Sequence, residues 1–144
     1  MNTRDKFILL VDDDEDDRLF FQEALEDLGD PVLLKTAEHG KDALKILEEH
    51  SEMKPDAIFL DLNMPVMDGQ ECLKRIRANS MYDDIKIIIY STSYNPTTAK
   101  VLASEGANHY IRKPSNYLSL IDVIKTALSV INDGVENKNF LIAV

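Results

Sequence analysis

Short apolar runs alternate with stretches of helical periodicity along most of the chain. Phe7 to Val11, Val32 to Lys35, Ala57 to Leu60, Ile85 to Tyr90 and Asn108 to Arg112 have the length of strands. The Ala57 to Leu60 run is apolar throughout, as a strand buried on both faces is. Between these runs the apolar positions follow the helical repeat. Phe21, Ala24, Leu25 and Leu28 share one helix face, and Gly29 behind them supplies a left-handed stop. Ala43, Leu44 and Leu47 line a second helix, and Cys72, Leu73 and Ile76 line a third whose Lys74, Arg75 and Arg77 point outward. Asn95 and Pro96 make a cap and first position for a short fourth helix, with Ala99, Leu102 and Ala103 inward and Gly106 at its end. Tyr117, Leu120, Ile121, Ile124, Leu128 and Ile131 form the longest stripe, a fifth helix. Five strands alternating with five helices predict an α/β fold, a parallel sheet with helices on both faces.

Length and charge narrow the reading further. The 144 residues suffice for one domain with a sizeable core, expected over residues 1–131, with 132–144 as a short C-terminal tail. That tail is too short for a DNA-binding or catalytic output domain, and its Phe140 to Val144 end is apolar enough to pack on its own domain or on a second subunit. A net charge of -10 argues against a general nucleic-acid binder. Cys72 is the single cysteine, which excludes an internal disulfide and fits a reducing compartment. No apolar run is long enough for a signal-peptide core or a membrane span, so a cytoplasmic location is expected.

Candidate chemistry gathers where the predicted strands end. The first strand delivers Asp12 and Asp13, the third Asp61, the fourth Ser91 with Thr92, and the fifth Lys113. In a doubly wound sheet with order 2-1-3-4-5, strands one and three are neighbours at the switch point, where a ligand crevice opens. Carboxylates converging there repel one another unless a cation sits among them. Oxygen donors without His or Cys select a hard cation, with Mg²⁺ the natural occupant. Asp61, a divalent ion, an ammonium and a hydroxyl are together the parts needed to place a phosphoryl group on a carboxylate and hold it.

Val11-Asp-Asp13, Phe59-Leu-Asp-Leu-Asn-Met-Pro-Val-Met-Asp-Gly69, Tyr90-Ser-Thr92, Gly106-Ala107, Tyr110 and Lys113-Pro114 occur in that order. The chain thereby resembles the receiver domains of bacterial two-component response regulators over about residues 5–131, which implies a flavodoxin-like doubly wound five-stranded parallel sheet in the order 2-1-3-4-5 with five helices. It also resembles the small single-domain regulators paired with bacteriophytochrome kinases. The resemblance implies that Asp61 accepts phosphate from a phosphohistidine on a sensor histidine kinase or histidine phosphotransfer protein. It implies Mg²⁺ bound by Asp12, Asp13, Asp61 and the backbone carbonyl of Asn63. Ser91 and Lys113 would hold the phosphoryl oxygens, and Tyr110 would be an aromatic switch coupled to Ser91. The Lys113-Pro114 bond would be cis. The output surface would be the fourth helix, fifth strand and fifth helix, presented to a downstream protein partner, with a homodimer also open. Such a protein catalyses only its own phosphorylation and dephosphorylation, and is not an enzyme in the turnover sense.

Plainer readings apply to other residues. Ser followed by Thr leaves Thr92 as an alternative hydroxyl, although counting back from Lys113 favours Ser91. Asp14, Glu15, Asp16 and Asp17 are expected to cap the first helix or face water, where acids suit the positive end of its dipole. His39, His50 and His109 read as surface or turn residues. Two rival functions are an Mg²⁺-dependent phosphatase with an aspartyl-phosphate intermediate and a scaffold that binds partners without being phosphorylated. The first would need its nucleophile at the first strand in an Asp-x-Asp-x-Thr/Val setting, which the sequence lacks.

Overall fold

The computed structural model describes residues 5–133 and 139–143. The elements are β1 (Lys6–Val11), α1 (Glu15–Leu28), β2 (Val32–Ala37), α2 (Gly40–Glu49), β3 (Ala57–Leu60) and α3 (Gly69–Arg77). A 3-10 turn at Ser80–Tyr82 precedes β4 (Lys86–Ser91), α4 (Pro96–Ser104), β5 (His109–Arg112), α5 (Tyr117–Asp133) and β6 (Leu141–Ala143). All neighbouring strands are parallel, in the order β2-β1-β3-β4-β5-β6.

Residues alternate between the two faces of the sheet, so each strand feeds two apolar layers. One layer joins Leu9, Val11, Ile58, Leu60, Ile87 and Ile89 to Leu47, Leu73, Ile76 and Leu102 from α2, α3 and α4. The other joins Ile8, Leu10, Phe59, Ile88 and Ile111 to Phe21, Leu25, Leu120, Ile124 and Leu128 from α1 and α5. Within this second layer, the rings of Phe21, Phe59 and Tyr90 meet edge to face at 5.0 to 6.0 Å.

The helix ends follow local chemistry. Asp14, Asp68 and Asn95 cap α1, α3 and α4, each accepting a backbone N–H of the first turn. Gly29 ends α1 at φ 77°, a left-handed position that a Cβ would strain. Gly69 is required for a different reason, because a Cβ there would lie 2.2 Å from the Asp61 carbonyl oxygen. Its close approach seats the start of α3 directly against the end of β3.

Several expectations are corrected. The sheet has a sixth strand, taken from the segment read as a tail, because Leu141–Ala143 completes hydrogen bonding along the edge of β5. The final helix also runs past Ile131 to Asp133, and the remaining tail residues, 134–138 and 144, lie outside the described residues. His109 is buried, and its Nδ1 lies 2.7 Å from the carbonyl of Asn139, two residues before β6. Burial holds the pKa of this imidazole below its ordinary value. Ala103 is exposed, so α4 buries Ala99 and Leu102 alone. Arg77 does not point to solvent. Its guanidinium donates to the carbonyls of Gly106, Tyr82 and Ile85 at 2.8 to 2.9 Å, tying the loops behind α3 together. Finally, no cis peptide bond occurs among the described residues, so Lys113-Pro114 is trans. The trans isomer is the intrinsically favoured one at an X-Pro bond, and in it Lys113 already reaches the acids at the sheet edge.

Candidate functional site

Strand register brings distant carboxylates together. Val11 and Leu60 are partners across β1 and β3, and the Asp61 N–H donates to the Val11 carbonyl at 3.0 Å. Asp12 and Asp61 therefore leave adjacent strands side by side. One carboxylate oxygen from each of Asp12, Asp13 and Asp61 falls within 4.8 Å of the others. Asp12 and Asp61 are buried, whereas Asp13 is exposed at the mouth.

Lys113 reaches the same place from β5. Its backbone N–H donates to the Ser91 carbonyl at 2.7 Å, which anchors the residue beyond the strand end. Its Nζ lies 2.7 Å from Asp12 Oδ2, 2.8 Å from Asp17 Oδ2 and 3.5 Å from Asp61 Oδ2. The ammonium also sits 5.4 Å from the centre of the Tyr90 ring.

Electrostatics at this edge are unbalanced. Burial raises the Asp12 pKa to about 6 even though Lys113 pulls it down. Asp61 is raised for the same reason, with the Lys113 charge opposing. Lys113 responds in the other sense. Burial disfavours its charge, but contact with Asp12 and Asp17 more than offsets this and holds the ammonium protonated. Asp12 Oδ1 accepts the Asp14 N–H at 3.0 Å, while its buried Oδ2 has the close Lys113 contact but no directed hydrogen bond. A buried carboxylate oxygen without a directed donor, beside two further carboxylates, suits an oxygen-seeking divalent cation. The residues present therefore fit Mg²⁺.

The hydroxyl and aromatic candidates separate clearly. Ser91 is the buried last residue of β4, and Thr92 is exposed beyond it. Burial thus separates the two hydroxyls, and the Ser91 Oγ lies 3.5 Å from Ser93 Oγ. Tyr110 is 1% exposed and donates its hydroxyl hydrogen to the Ser93 carbonyl. Its ring packs between Tyr94 at 5.4 Å and Phe140 at 6.4 Å. This aromatic is consequently bonded to the loop that Ser91 opens, and held from behind by the residue preceding β6.

The loop after Asp61 is strained. Val66 has φ 69° and stands at the centre of a tight turn in which the Met67 N–H meets the Pro65 carbonyl at 2.7 Å. A β-branched residue in that region costs on the order of 1 kcal/mol or more. Asn63 lies in this loop, its N–H 3.4 Å from Asp61 Oδ1, so its backbone follows the carboxylate closely.

Asp17 was expected to cap α1 or face water, and instead it forms an ion pair with Lys113. Asp17 lies in the first turn of α1, within the acidic run that directly follows β1. What the sequence could not supply was the direction from which Lys113 arrives.

Comparison with known proteins agrees with this geometry. The family model for the response regulator receiver domain matches residues 8–125. A chemotaxis protein CheY homolog of Campylobacter jejuni is 35% identical over 107 residues, 74% of this chain and 80% of that protein. Among solved structures, the Mn(2+)-bound response regulator Rcp1 superposes with a TM-score of 0.76 at 30% identity, covering 86% of this chain and 92% of its own. The phosphorylated cyanobacterial phytochrome response regulator RcpA gives 0.79 at 30% identity, covering 92% and 96%. With its acids, its serine and its lysine gathered at one sheet edge, the chain belongs to the response regulator receiver domain family.

Proposed function

We propose that the chain is an Mg²⁺-dependent phosphoacceptor whose modification at Asp61 alters a partner-binding surface. The observation that carries this reading is the placement of the Asp61 carboxylate, 3.5 Å from the Lys113 ammonium and grouped with Asp12 and Asp13 at the carboxyl end of the sheet. Asp12, Asp13, Asp61 and the Asn63 carbonyl would hold the ion. When bound, it supplies positive charge opposite the oxygens of an incoming phosphoryl group.

The chain's own residues do the rest. An Asp61 carboxylate oxygen forms the new O–P bond as the P–N bond to a phosphohistidine breaks, the electron pair leaving with the imidazole nitrogen. The donor is a sensor histidine kinase or a histidine phosphotransfer protein. Lys113 pairs with one phosphoryl oxygen and Ser91 donates to another, contacts that exist only in the modified state. Phosphorylation therefore shifts the population toward the arrangement in which Ser91 has moved, and Tyr110 follows through the Ser93 carbonyl. The surface that changes comprises α4, β5 and α5, since these carry or adjoin Ser91, Tyr110 and Lys113. It is read by a downstream protein in the cytoplasm. None of the described helices is long and apolar enough to cross a membrane.

Incubation with acetyl phosphate and Mg²⁺, followed by intact-mass measurement, tests the reading directly. One phosphoryl group is expected on the wild type and none on Asp61→Asn. A wild type that stays unmodified with both acetyl phosphate and a cognate kinase overturns it. Steady turnover of a phosphomonoester would favour a phosphatase instead, against which stands the position of Asp61 on the third strand rather than the first.

A further inference from the structure

We propose that Asp17 is a positioning residue for Lys113, holding the ammonium on the α1 side of the site until a phosphoryl group on Asp61 draws it away. The inference rests on the phosphoacceptor reading and adds to it a residue outside the metal-binding set. Lys113 has three acidic neighbours and makes unequal contacts with them. Asp12 and Asp17 lie at 2.7 and 2.8 Å, and Asp61, the residue to be modified, is the farthest at 3.5 Å.

Asp17 approaches from the first turn of α1, whereas Asp61 approaches from the end of β3. The helix fixes Asp17, because its own N–H is held by the Asp14 side chain at 3.1 Å. A cleft lined by Asp17, Phe20, Tyr90, Lys113, Pro114 and Tyr117 opens on the same side. The Lys113 side chain is 7% exposed, with its ammonium held between the acids and the Tyr90 ring, so the balance among its carboxylate partners sets which way it leans. A phosphoryl group on Asp61 brings more negative charge than the carboxylate it modifies. The shared ammonium then redistributes toward it at the expense of Asp17. Each acid's hold on the ammonium weakens as another's strengthens, so removing Asp17 favours the phosphorylated arrangement.

Asp17 is the most solvent-accessible of the three acids in the Lys113 ion pairs, at 32% exposure, and solvent screening keeps its share of the ammonium small. Beryllofluoride with Mg²⁺ serves as a non-transferable stand-in for the phosphoryl group, and its affinity is read by calorimetry. Asp17→Asn is expected to bind it about two- to fivefold more tightly than wild type. Asp17→Glu, which keeps a carboxylate within reach of Lys113, is expected to return affinity to the wild-type value. Asp16→Asn removes the same charge from the same turn, but Asp16 is exposed and outside the Lys113 ion pairs, so its affinity is expected to stay at wild type.

Equal or weaker binding by Asp17→Asn overturns the proposal, as does an equal gain in Asp16→Asn, which would assign the effect to the general field. Failure of Asp17→Glu to restore the wild-type value overturns it too. A wild type that does not bind beryllofluoride at all overturns the phosphoacceptor reading itself, and this inference with it.

Discussion

Helices α4 and α5 flank the same strand yet are held to the sheet in different ways. α5 buries Leu120, Ile124, Ala127, Leu128, Val130 and Ile131, and its layer includes the interlocked rings of Phe21, Phe59 and Tyr90. α4 is nine residues long and buries only Ala99 and Leu102. Its start is fixed by one side chain, Asn95, which accepts the N–H groups of Thr97 and Thr98 at 2.8 and 3.2 Å. Apolar burial scales with area, so α5 is anchored by several large side chains and α4 by one leucine and one alanine. The loop joining β4 to α4 carries Ser91 at its start and the Ser93 carbonyl that receives Tyr110. A rigid frame and a weakly held helix thus meet at the loop that Ser91 opens. A signal is converted most readily where little packing must be given up.

The largest test of this contrast is in the frame. Ile124→Ala is expected to cost about 2–5 kcal/mol of unfolding free energy, the range for emptying a fully buried aliphatic site. Urea unfolding at fixed pH measures it. A loss under about 1 kcal/mol would show that α5 is not the fixed side.

The acid-rich edge of the sheet carries a cost that depends on pH. The folded pKa of Asp12, about 6, stands above the ordinary aspartate value of 3.8. Over that window the folded chain keeps a proton that the unfolded chain has lost, so this residue stabilises the fold less as pH rises. Asp12→Asn removes the titration. Without Mg²⁺, the stability of Asp12→Asn relative to wild type should increase by up to about 3 kcal/mol between about pH 4 and pH 7. Parallel urea titrations of both proteins across that range decide it, and a difference that does not change with pH contradicts the assignment.

The smallest expected effect is at the cap of the weakly held helix. Asn95→Ala should cost about 1 kcal/mol and speed amide exchange in the first turn of α4, leaving α5 unchanged. Exchange followed by NMR would register this, and equal acceleration in both helices would erase the distinction drawn between them.

Much of this arrangement was legible beforehand, for reasons particular residues make plain. The alternation of buried runs with helical stripes requires crossover connections, which place every strand's carboxyl end on one side. Asp12, Asp13, Asp61, Ser91 and Lys113 were therefore assignable to one edge from order alone. Arg77, His109 and Asp17 were misread because each depends on a partner remote in the chain. Arg77 meets Gly106 and Ile85, His109 meets Asn139, and Asp17 meets Lys113. Leu141–Ala143 gave no usable strand pattern, being short and separated from α5 by a polar stretch.

By itself, the sequence determined the α/β class and the sheet edge at which the acids gather, because hydrophobic periodicity and motif order can be read along the chain. Tertiary structure alone decided which acids share the Lys113 ammonium and whether Ser91 or Thr92 lies buried. It also decided that the last strand covers β5 and backs Tyr110. Those outcomes depend on distances between groups far apart in the chain, and short-range ionic and packing forces act only once folding has set those distances.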